Sequence, residues 1–369
     1  MRRYELDWLR LFLFGLLVPY HAALGFVSYG PDVYGIANDV FAGLWLELLL
    51  DWSHSWRIFA LFMISGVGTW FASRKGAGIR FAGSRLHRLG LPLIGWGGFA
   101  LVAIWTGLWP ADAFFWVAEG ETGWRSIEFV DFWHLWFLKN LLIYTLICIP
   151  LLRRPDLLTH RGKSMRWTVI VISAVMFIVN ALLEPISEAV IGLHGDDFYN
   201  FIGFVLGIWI GANAAKTLDW MARWWWVLLL YGTASYPLTL TFQLAYYEII
   251  ESYDTVWSLY GEFKYMMWHA LRPVNGLLWG MGLFGFASRF LSKPGRHLKR
   301  LNSLVFPLYV FHMPITIAGI AIAADLRIAW QIEMLTIIAV TFVVSILLAF
   351  ASERLGWFAY FFGATPKRR

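Results

Sequence analysis

Residues 7–21 read Asp7-Trp8-Leu9-Arg10-Leu11-Phe12-Leu13-Phe14-Gly15-Leu16-Leu17-Val18-Pro19-Tyr20-His21, an apolar stretch with an arginine near one end and a histidine at the other. It is hydrophobic enough to cross a bilayer, and an ionisable side chain inside a bilayer is costly, so this pattern indicates function. Eleven residues at about 100° each return to within roughly 20° of the start, which places Arg10 and His21 on one helix face. The two residues are expected about 16 Å apart along the axis. Pro19 cannot donate to the Gly15 carbonyl, so we expect a loosened helix one turn below His21.

The composition indicates a membrane protein and argues against a large soluble α-helical protein. The chain is 59% hydrophobic with a mean hydropathy of +0.60, and 15% of its residues are charged, against about 25% in soluble domains. The single cysteine, Cys148, excludes an intrachain disulfide and a cysteine-rich metal site. Without a CxxC or HExxH pattern we expect no metal.

Ten apolar segments are each close to the roughly 20 residues that a bilayer requires. We therefore predict an all-α, polytopic transmembrane bundle of about ten helices. The segments are 8–28, 54–73, 89–109, 134–152, 167–184, 199–215, 224–243, 268–288, 303–323 and 333–352.

The distribution of charge predicts the orientation of these segments. If the N-terminus is cytoplasmic, the inner segments (1–10, 74–88, 153–166, 216–223, 289–300 and 353–369) hold 24 of the 30 lysines and arginines, whereas 19 of the 24 acidic residues lie outside. This is the positive-inside distribution, so both termini are predicted to be cytoplasmic. The basic residues lie in short blocks between apolar segments, so we expect a lipid bilayer and no nucleic acid as partner. A signal-peptide reading of the first segment is disfavoured by Glu5 and Asp7, which spoil a positive n-region.

Four further motifs carry polar groups into or beside the predicted membrane. Asp51, His54 and Arg57 follow i, i+3, i+6 spacing at an outer helix end, where they could bind a polar substrate or form an ordinary cap and salt bridge. The inner arginines Arg85 and Arg88 could clamp phosphate oxygens or only satisfy the charge rule. The other two motifs are 131–138, with His134 and Trp136, and 303–314, where Tyr309 and His312 share a helix face.

These motifs together resemble the integral-membrane acyltransferase family 3. The resemblance runs over nearly the whole chain, through Leu6-Asp7-Trp8-Leu9-Arg10 with Arg-x10-His, Phe62-Met63-Ile64-Ser65-Gly66, Arg85-Leu86-His87-Arg88, His134-Leu135-Trp136-Phe137-Leu138 and Tyr309-Val310-Phe311-His312-Met313-Pro314. Residues 54–57 followed by 64–66 look most like the family members that succinylate periplasmic glucans.

The resemblance implies O-acylation of an extracytoplasmic carbohydrate by a multi-pass protein of the bacterial inner membrane. It implies an acyl-coenzyme A donor, with succinyl favoured over acetyl, as a substrate rather than a permanently bound cofactor. It also marks Arg10 and His21 as essential and Arg85 and Arg88 as a basic pair. We expect one membrane domain over residues 1–369, with no additional soluble domain; the oligomeric state, including a homo-oligomer, stays open.

The expected mechanism places the coenzyme A phosphates against Arg85 and Arg88 and the thioester near His21. His21 then acts as a general base on a sugar hydroxyl or carries the acyl group transiently. Acceptor or acyl-group binding is assigned to six residues, His54, Arg57, His134, Trp136, Tyr309 and His312; Arg57 or Arg272 could pair with a succinyl carboxylate.

Two alternatives to this function remain at the level of the sequence. One is an O-acetyltransferase acting on a surface polysaccharide or a small secondary metabolite. The other is a proton-coupled transporter, which would show paired inverted repeats and matching broken helices. Neither feature is visible in the sequence, so the acyltransferase is favoured.

Overall fold

The computed structural model describes residues 3–34, 41–105, 133–159, 164–191, 196–251, 259–324, 326 and 328–367. Within these ranges all regular secondary structure is helical, and no strand occurs. The α-helices are α1 (Tyr4–Gly15), α2 (Leu17–Leu24), α3 (Gly30–Tyr34), α4 (Leu44–Ser73), α5 (Ile79–Arg85), α6 (Leu91–Trp105), α7 (Trp136–Ile147), α8 (Ile149–Leu152), α9 (Pro155–Leu158), α10 (Met165–Ile191), α11 (Asp196–Ala212), α12 (Ala214–Glu251), α13 (Leu259–Phe290), α14 (Leu298–Ala323) and α15 (Trp330–Ser352). A π-helical turn, Leu86–Gly90, joins α5 to α6, and 3₁₀ turns cover Trp133–Leu135 and Gly356–Phe362.

The helices overlap all ten predicted segments but extend beyond several of them. Helix α4 begins at Leu44, ten residues before the predicted start at 54, so the last ten residues between the predicted segments 8–28 and 54–73 are helical. Likewise, α12 begins at Ala214, two residues before the predicted inner segment 216–223, and continues through that segment. Because a helix is held by its own backbone hydrogen bonds, it continues beyond the apolar stretch from which it was predicted, which explains the difference.

Two helices in the described ranges, α14 and α15, are long and apolar enough to cross a membrane. A third span results if Phe198–Ala212 and Ala214–Leu244, bent by 107° at their junction, are taken together. In the residues that the structure describes, the protein is therefore all-helical, with helices suited to a membrane.

The first predicted helix is interrupted where Pro19 predicts. Helix α1 ends at Gly15 and α2 begins at Leu17, because Pro19 has no N–H with which to bond the Gly15 carbonyl. Arg10 and His21 consequently lie on separate helices rather than on one uninterrupted helix. Their alignment on one face and their separation stay predictions.

The contacts of the chain divide it into two compact units. Unit 1 comprises Met1–Gly15, Gly43–Lys75 and Pro150–Lys299, and unit 2 comprises Leu16–Ala42, Gly76–Ile149 and Arg300–Arg369. The prediction of one domain over 1–369 is not tested by this division.

In unit 1, α4 packs closely along α11 through glycines. A methyl group on Gly66 would collide with the main-chain oxygen of Phe204, and one on Gly207 would collide with that of Met63. Small residues at such positions allow two helix backbones to approach each other.

In unit 2, α15 packs against α2, and α6 packs against the 3₁₀ turn Gly356–Phe362. The N-terminal part of α14 is held to the segment after α15 by Arg300, whose Nη1 and Nη2 lie 2.5 and 2.9 Å from the two carboxylate oxygens of Glu353.

Candidate active site

His21 lies on α2 in unit 2, where it is half-buried and held by Tyr34 of α3. The Tyr34 hydroxyl donates to the main-chain oxygen of His21 at 2.8 Å, and the same hydroxyl lies 3.3 Å from His21 Nδ1. A phenol has one hydrogen to donate, so with that hydrogen on the carbonyl it accepts from Nδ1–H. This arrangement favours the neutral tautomer whose lone pair is on Nε2.

His312 lies on α14, fully buried, with its ring centroid 5.4 Å from that of His21. Its Nδ1 donates to the main-chain oxygen of Tyr309 at 2.7 Å. A carbonyl can only accept, so His312 also carries its proton on Nδ1 when neutral. Two imidazoles from helices far apart in the sequence are thus neighbours with defined tautomers.

His134 is buried in the 3₁₀ turn before α7, with its ring 5.8 Å from that of His312. Its Nε2 donates to the Val310 carbonyl at 2.9 Å. That carbonyl would pair with the N–H of residue 314 in an unbroken helix, but residue 314 is a proline and has no N–H. Pro314 therefore frees the acceptor that fixes His134.

Tyr309 completes the attachment between α14 and the start of α7. Its hydroxyl donates to the main-chain oxygen of His134, and its side chain is buried against Phe137, with the two ring centroids 5.9 Å apart. We call His21, His134 and His312, with Tyr34 and Tyr309, the histidine cluster. All five residues belong to unit 2.

The predicted donor-binding pair also lies in unit 2. Arg85 ends α5 with its guanidinium 5.0 Å from the centre of the Phe81 ring, and Arg88 is exposed on the following π-helical turn. This turn packs against α7, the helix that directly follows His134. A role of the pair in binding phosphate stays a prediction.

Arg10 lies on α1 in unit 1, beside α4. A methyl group placed on Gly68 would come within 3.0 Å of Arg10 Nη2, so the arginine side chain passes over the space that this glycine leaves open. Because Arg10 and His21 belong to different units, the structure does not test their predicted cooperation.

The six residues predicted to bind the acceptor or the acyl group divide between the units. His134, Trp136, Tyr309 and His312 lie in unit 2, whereas His54 and Arg57 lie on α4 in unit 1. Trp136 is half-buried beside Phe137, with ring centroids 6.5 Å apart, and His54 is also half-buried. Arg57 is 1% exposed and donates from Nη1 to Ser53 Oγ at 3.5 Å.

Asp51, the carboxylate predicted to act together with His54 and Arg57, is hydrogen-bonded to another helix. Asp51 accepts hydrogen bonds from Tyr236 at 2.7 Å and Gln243 at 3.0 Å, both on α12. Arg272, the other candidate for an acyl carboxylate, stacks on Tyr199 with its guanidinium 4.7 Å from the ring centre. Unit 1 thus holds a second polar region around α4.

Sequence reasoning did not identify Tyr34, Tyr236 or Gln243. Tyr34 is the last residue of the short helix α3, in a region where aromatic side chains are frequent, and no spacing rule connects it to His21. Tyr236 and Gln243 lie seven residues apart on one face of α12, which is the only local signal for their shared contact with Asp51.

The family is shown by comparison with known proteins. The model of an acyltransferase domain matches residues 3–353, so the chain belongs to acyltransferase family 3. Proteins named "Glucans biosynthesis protein C" from Shigella dysenteriae serotype 1 and Escherichia coli K12 are each 28% identical to it over 163 residues. Each alignment covers 42% of this chain and 40% of the relative, so the chain spans about two fifths of the curated relatives it matches. No solved structure matches the chain.

Proposed function

We propose that this protein is a membrane O-acyltransferase that moves an acyl group, with succinyl favoured, from cytoplasmic acyl-coenzyme A to a hydroxyl of a periplasmic glucan or another extracytoplasmic carbohydrate. The observation that carries the proposal is the pairing of His21 with His312 at 5.4 Å, with Tyr34 hydrogen-bonded to His21, in a chain of an acyltransferase family. The relatives named for glucan biosynthesis support a carbohydrate as the acceptor.

The proposed setting is the bacterial inner membrane, crossed ten times, with both termini in the cytoplasm. The charge distribution supports this topology, because 24 of the 30 lysines and arginines fall on the inner side. In that orientation Arg85 and Arg88 lie on the cytoplasmic side, where coenzyme A is available.

His21 is proposed as the general base. The tautomer favoured by Tyr34 leaves the Nε2 lone pair to take the proton from the acceptor hydroxyl as its oxygen attacks the thioester carbon. The C–S bond then breaks, and the proton passes from His21 to the leaving thiolate. The acceptor hydroxyl thereby exchanges its hydrogen for the acyl group, and the thiolate of the donor gains that hydrogen, with no further reactant. If His21 instead attacks the thioester itself, the acyl group is transferred twice, first to His21 and then to the acceptor.

Replacement of His21 tests the proposed chemistry. We expect His21→Ala to lower kcat with succinyl-coenzyme A and a glucan oligosaccharide by about 10²- to 10⁴-fold, the usual contribution of a general base. Thiol release measures donor consumption, and mass spectrometry of the oligosaccharide measures the acyl group transferred. Acetyl-coenzyme A in a parallel reaction distinguishes a succinyltransferase from an acetyltransferase.

The matched control is His297→Ala, because His297 is an exposed histidine of unit 1. It should keep the wild-type kcat. A folded His21→Ala protein that transfers acyl groups at the wild-type rate would contradict the proposed role, and a wild-type protein that consumes neither thioester would contradict the enzyme itself.

Removal of the basic pair tests donor binding separately. We expect the double substitution Arg85→Ala, Arg88→Ala to weaken coenzyme A binding by about 10-fold or more, since each lost charge-assisted hydrogen bond contributes about 1.5–3 kcal/mol. Isothermal titration with coenzyme A gives the dissociation constant. The double variant Lys75→Ala, Arg80→Ala removes the same charge from exposed positions a few residues earlier in the chain and should bind normally; equal affinities in the two double variants would rule out a specific clamp.

A further inference from the structure

Helix α15 buries a polar stripe although most of its surface is apolar. Its buried positions recur at helical spacing, with large apolar side chains such as Leu335, Val343 and Leu347 exposed on the other side. The buried residues are Glu333, Ile337, Thr341, Ser345, Ala349 and Ser352. In a membrane helix, polar groups on the face that packs against the rest of the protein indicate contacts with other polar groups or with a substrate.

The stripe is connected to the histidine cluster through two threonines. Thr341 Oγ1 lies 3.3 Å from Thr316 Oγ1 of α14, and Thr316 donates to the His312 carbonyl at 2.8 Å. One turn farther out, a methyl group on Gly319 would lie 3.3 Å from Ile337. These two contacts define an antiparallel register between α14 and α15.

That register brings Ser345 to the level of His312. One turn inward from Thr316 on α14 is His312, and one turn inward from Thr341 on α15 is Ser345. Helix α15 also packs against α2, which carries His21. Ser345 is therefore placed beside the two helices whose imidazoles lie 5.4 Å apart.

The Ser345 hydroxyl differs from the other hydroxyls of this helix. Thr336 and Ser352 each donate to the carbonyl four residues earlier, at 2.7 Å. Ser345 is fully buried, and its Oγ has no hydrogen-bond partner within the part of the chain that the structure describes. A buried hydroxyl without a partner costs free energy, so its retention indicates a partner that arrives with the substrate.

We propose that Ser345 donates a hydrogen bond to the thioester carbonyl oxygen of the acyl donor as that oxygen gains negative charge. This inference rests on the proposed acyl transfer and adds to it the group that stabilises the oxyanion. As the acceptor oxygen bonds to the carbonyl carbon, the electron pair of the C=O bond moves to the oxygen facing Ser345. It returns when the C–S bond breaks, so Ser345 keeps its own proton throughout.

The test is Ser345→Ala in the full-length protein, with succinyl-coenzyme A as donor and a glucan oligosaccharide as acceptor. We expect kcat to fall on the order of 10²-fold, as for loss of an oxyanion donor, with KM for the thioester within about threefold of wild type. The melting temperature should stay equal or rise, because the substitution removes a buried hydroxyl that has no partner in the free protein.

The matched control is Ser352→Ala, which removes a back-bonded serine from the same helix and should leave kcat unchanged. A wild-type kcat in Ser345→Ala would overturn the inference, as would a loss of activity that accompanies a lower melting temperature. If His21→Ala is inactive while Ser345→Ala is normal, only the role of Ser345 fails. If the wild-type protein transfers no acyl group, the proposed function fails and Ser345 loses its role with it.

Discussion

Tyr34 determines which nitrogen of His21 can act as a base. Its hydroxyl uses its one hydrogen on the His21 carbonyl and meets Nδ1 as an acceptor. Without this contact both neutral tautomers of His21 would be accessible, and a fraction of the protein would hold the proton on Nε2. The orientation of one imidazole thus depends on a residue thirteen positions away.

Substitution of Tyr34 by phenylalanine removes the hydroxyl and keeps the ring. We expect Tyr34→Phe to lower kcat by about 2- to 13-fold, which corresponds to the roughly 0.5–1.5 kcal/mol net value of one hydrogen bond. Steady-state thioester consumption measures the effect. Tyr231→Phe changes an exposed tyrosine of α12 and serves as the control; equal rates for the two variants would mean that Tyr34 does not orient His21.

At the scale of elements, prolines and glycines determine how the helices meet. Pro314 releases the Val310 carbonyl to His134, and Pro19 separates α1 from α2. Gly66 and Gly207 let α4 and α11 approach until backbone touches backbone. Proline and glycine, which weaken a helix locally, thus allow hydrogen bonds and close contacts with neighbouring helices.

The contact between α4 and α11 predicts a stability effect at Gly207. A methyl group there would collide with the main-chain oxygen of Met63, and backbone cannot move aside as a flexible side chain can. We expect Gly207→Ala to lower the free energy of unfolding by about 1–3 kcal/mol, the usual cost of overpacking. Thermal unfolding in detergent measures this change.

The control is Gly98→Ala on α6, where a methyl group would meet nothing within 4 Å. Alanine is the better helix former by about 1 kcal/mol, so this variant should be as stable as wild type or more stable. A Gly207→Ala protein that melts with or above Gly98→Ala would show that α4 and α11 have room to separate.

At the scale of the whole molecule, the charge distribution predicts which ends of the helices face the cytoplasm. Lys75 follows α4 on the predicted inner side, and Ala329 precedes α15 on the predicted outer side; both are exposed. In a Cys148→Ala background, which removes the one native cysteine, a membrane-impermeant maleimide should label Ala329→Cys in intact spheroplasts. It should label Lys75→Cys only after lysis, and the reverse pattern would invert the topology.

The sequence predicted the elements better than their ends. All ten apolar segments overlap helices in the residues that the structure describes, because hydrophobicity over about 20 residues is a local property. The start of α4 at Leu44 was missed, although residues 44–50 are apolar apart from Glu47, because Glu47 and Asp51 interrupt the apolar stretch before the predicted start at 54. A loosened helix near Pro19 was predicted, because a proline leaves the carbonyl four residues earlier in its own helix without its usual N–H partner.

The sequence by itself determined that this chain is helical and apolar, with most of its basic residues in alternate segments between the apolar stretches, and that His21, His134, Tyr309 and His312 carry polar groups into apolar segments. Each of these conclusions follows from composition or helical period, which act over short distances along the chain. Only the tertiary structure decided that these four residues meet in one unit, with Tyr34, while His54 and Arg57 lie in the other. Such contacts depend on which helix faces pack together and at what register, and no local pattern in the sequence specifies either.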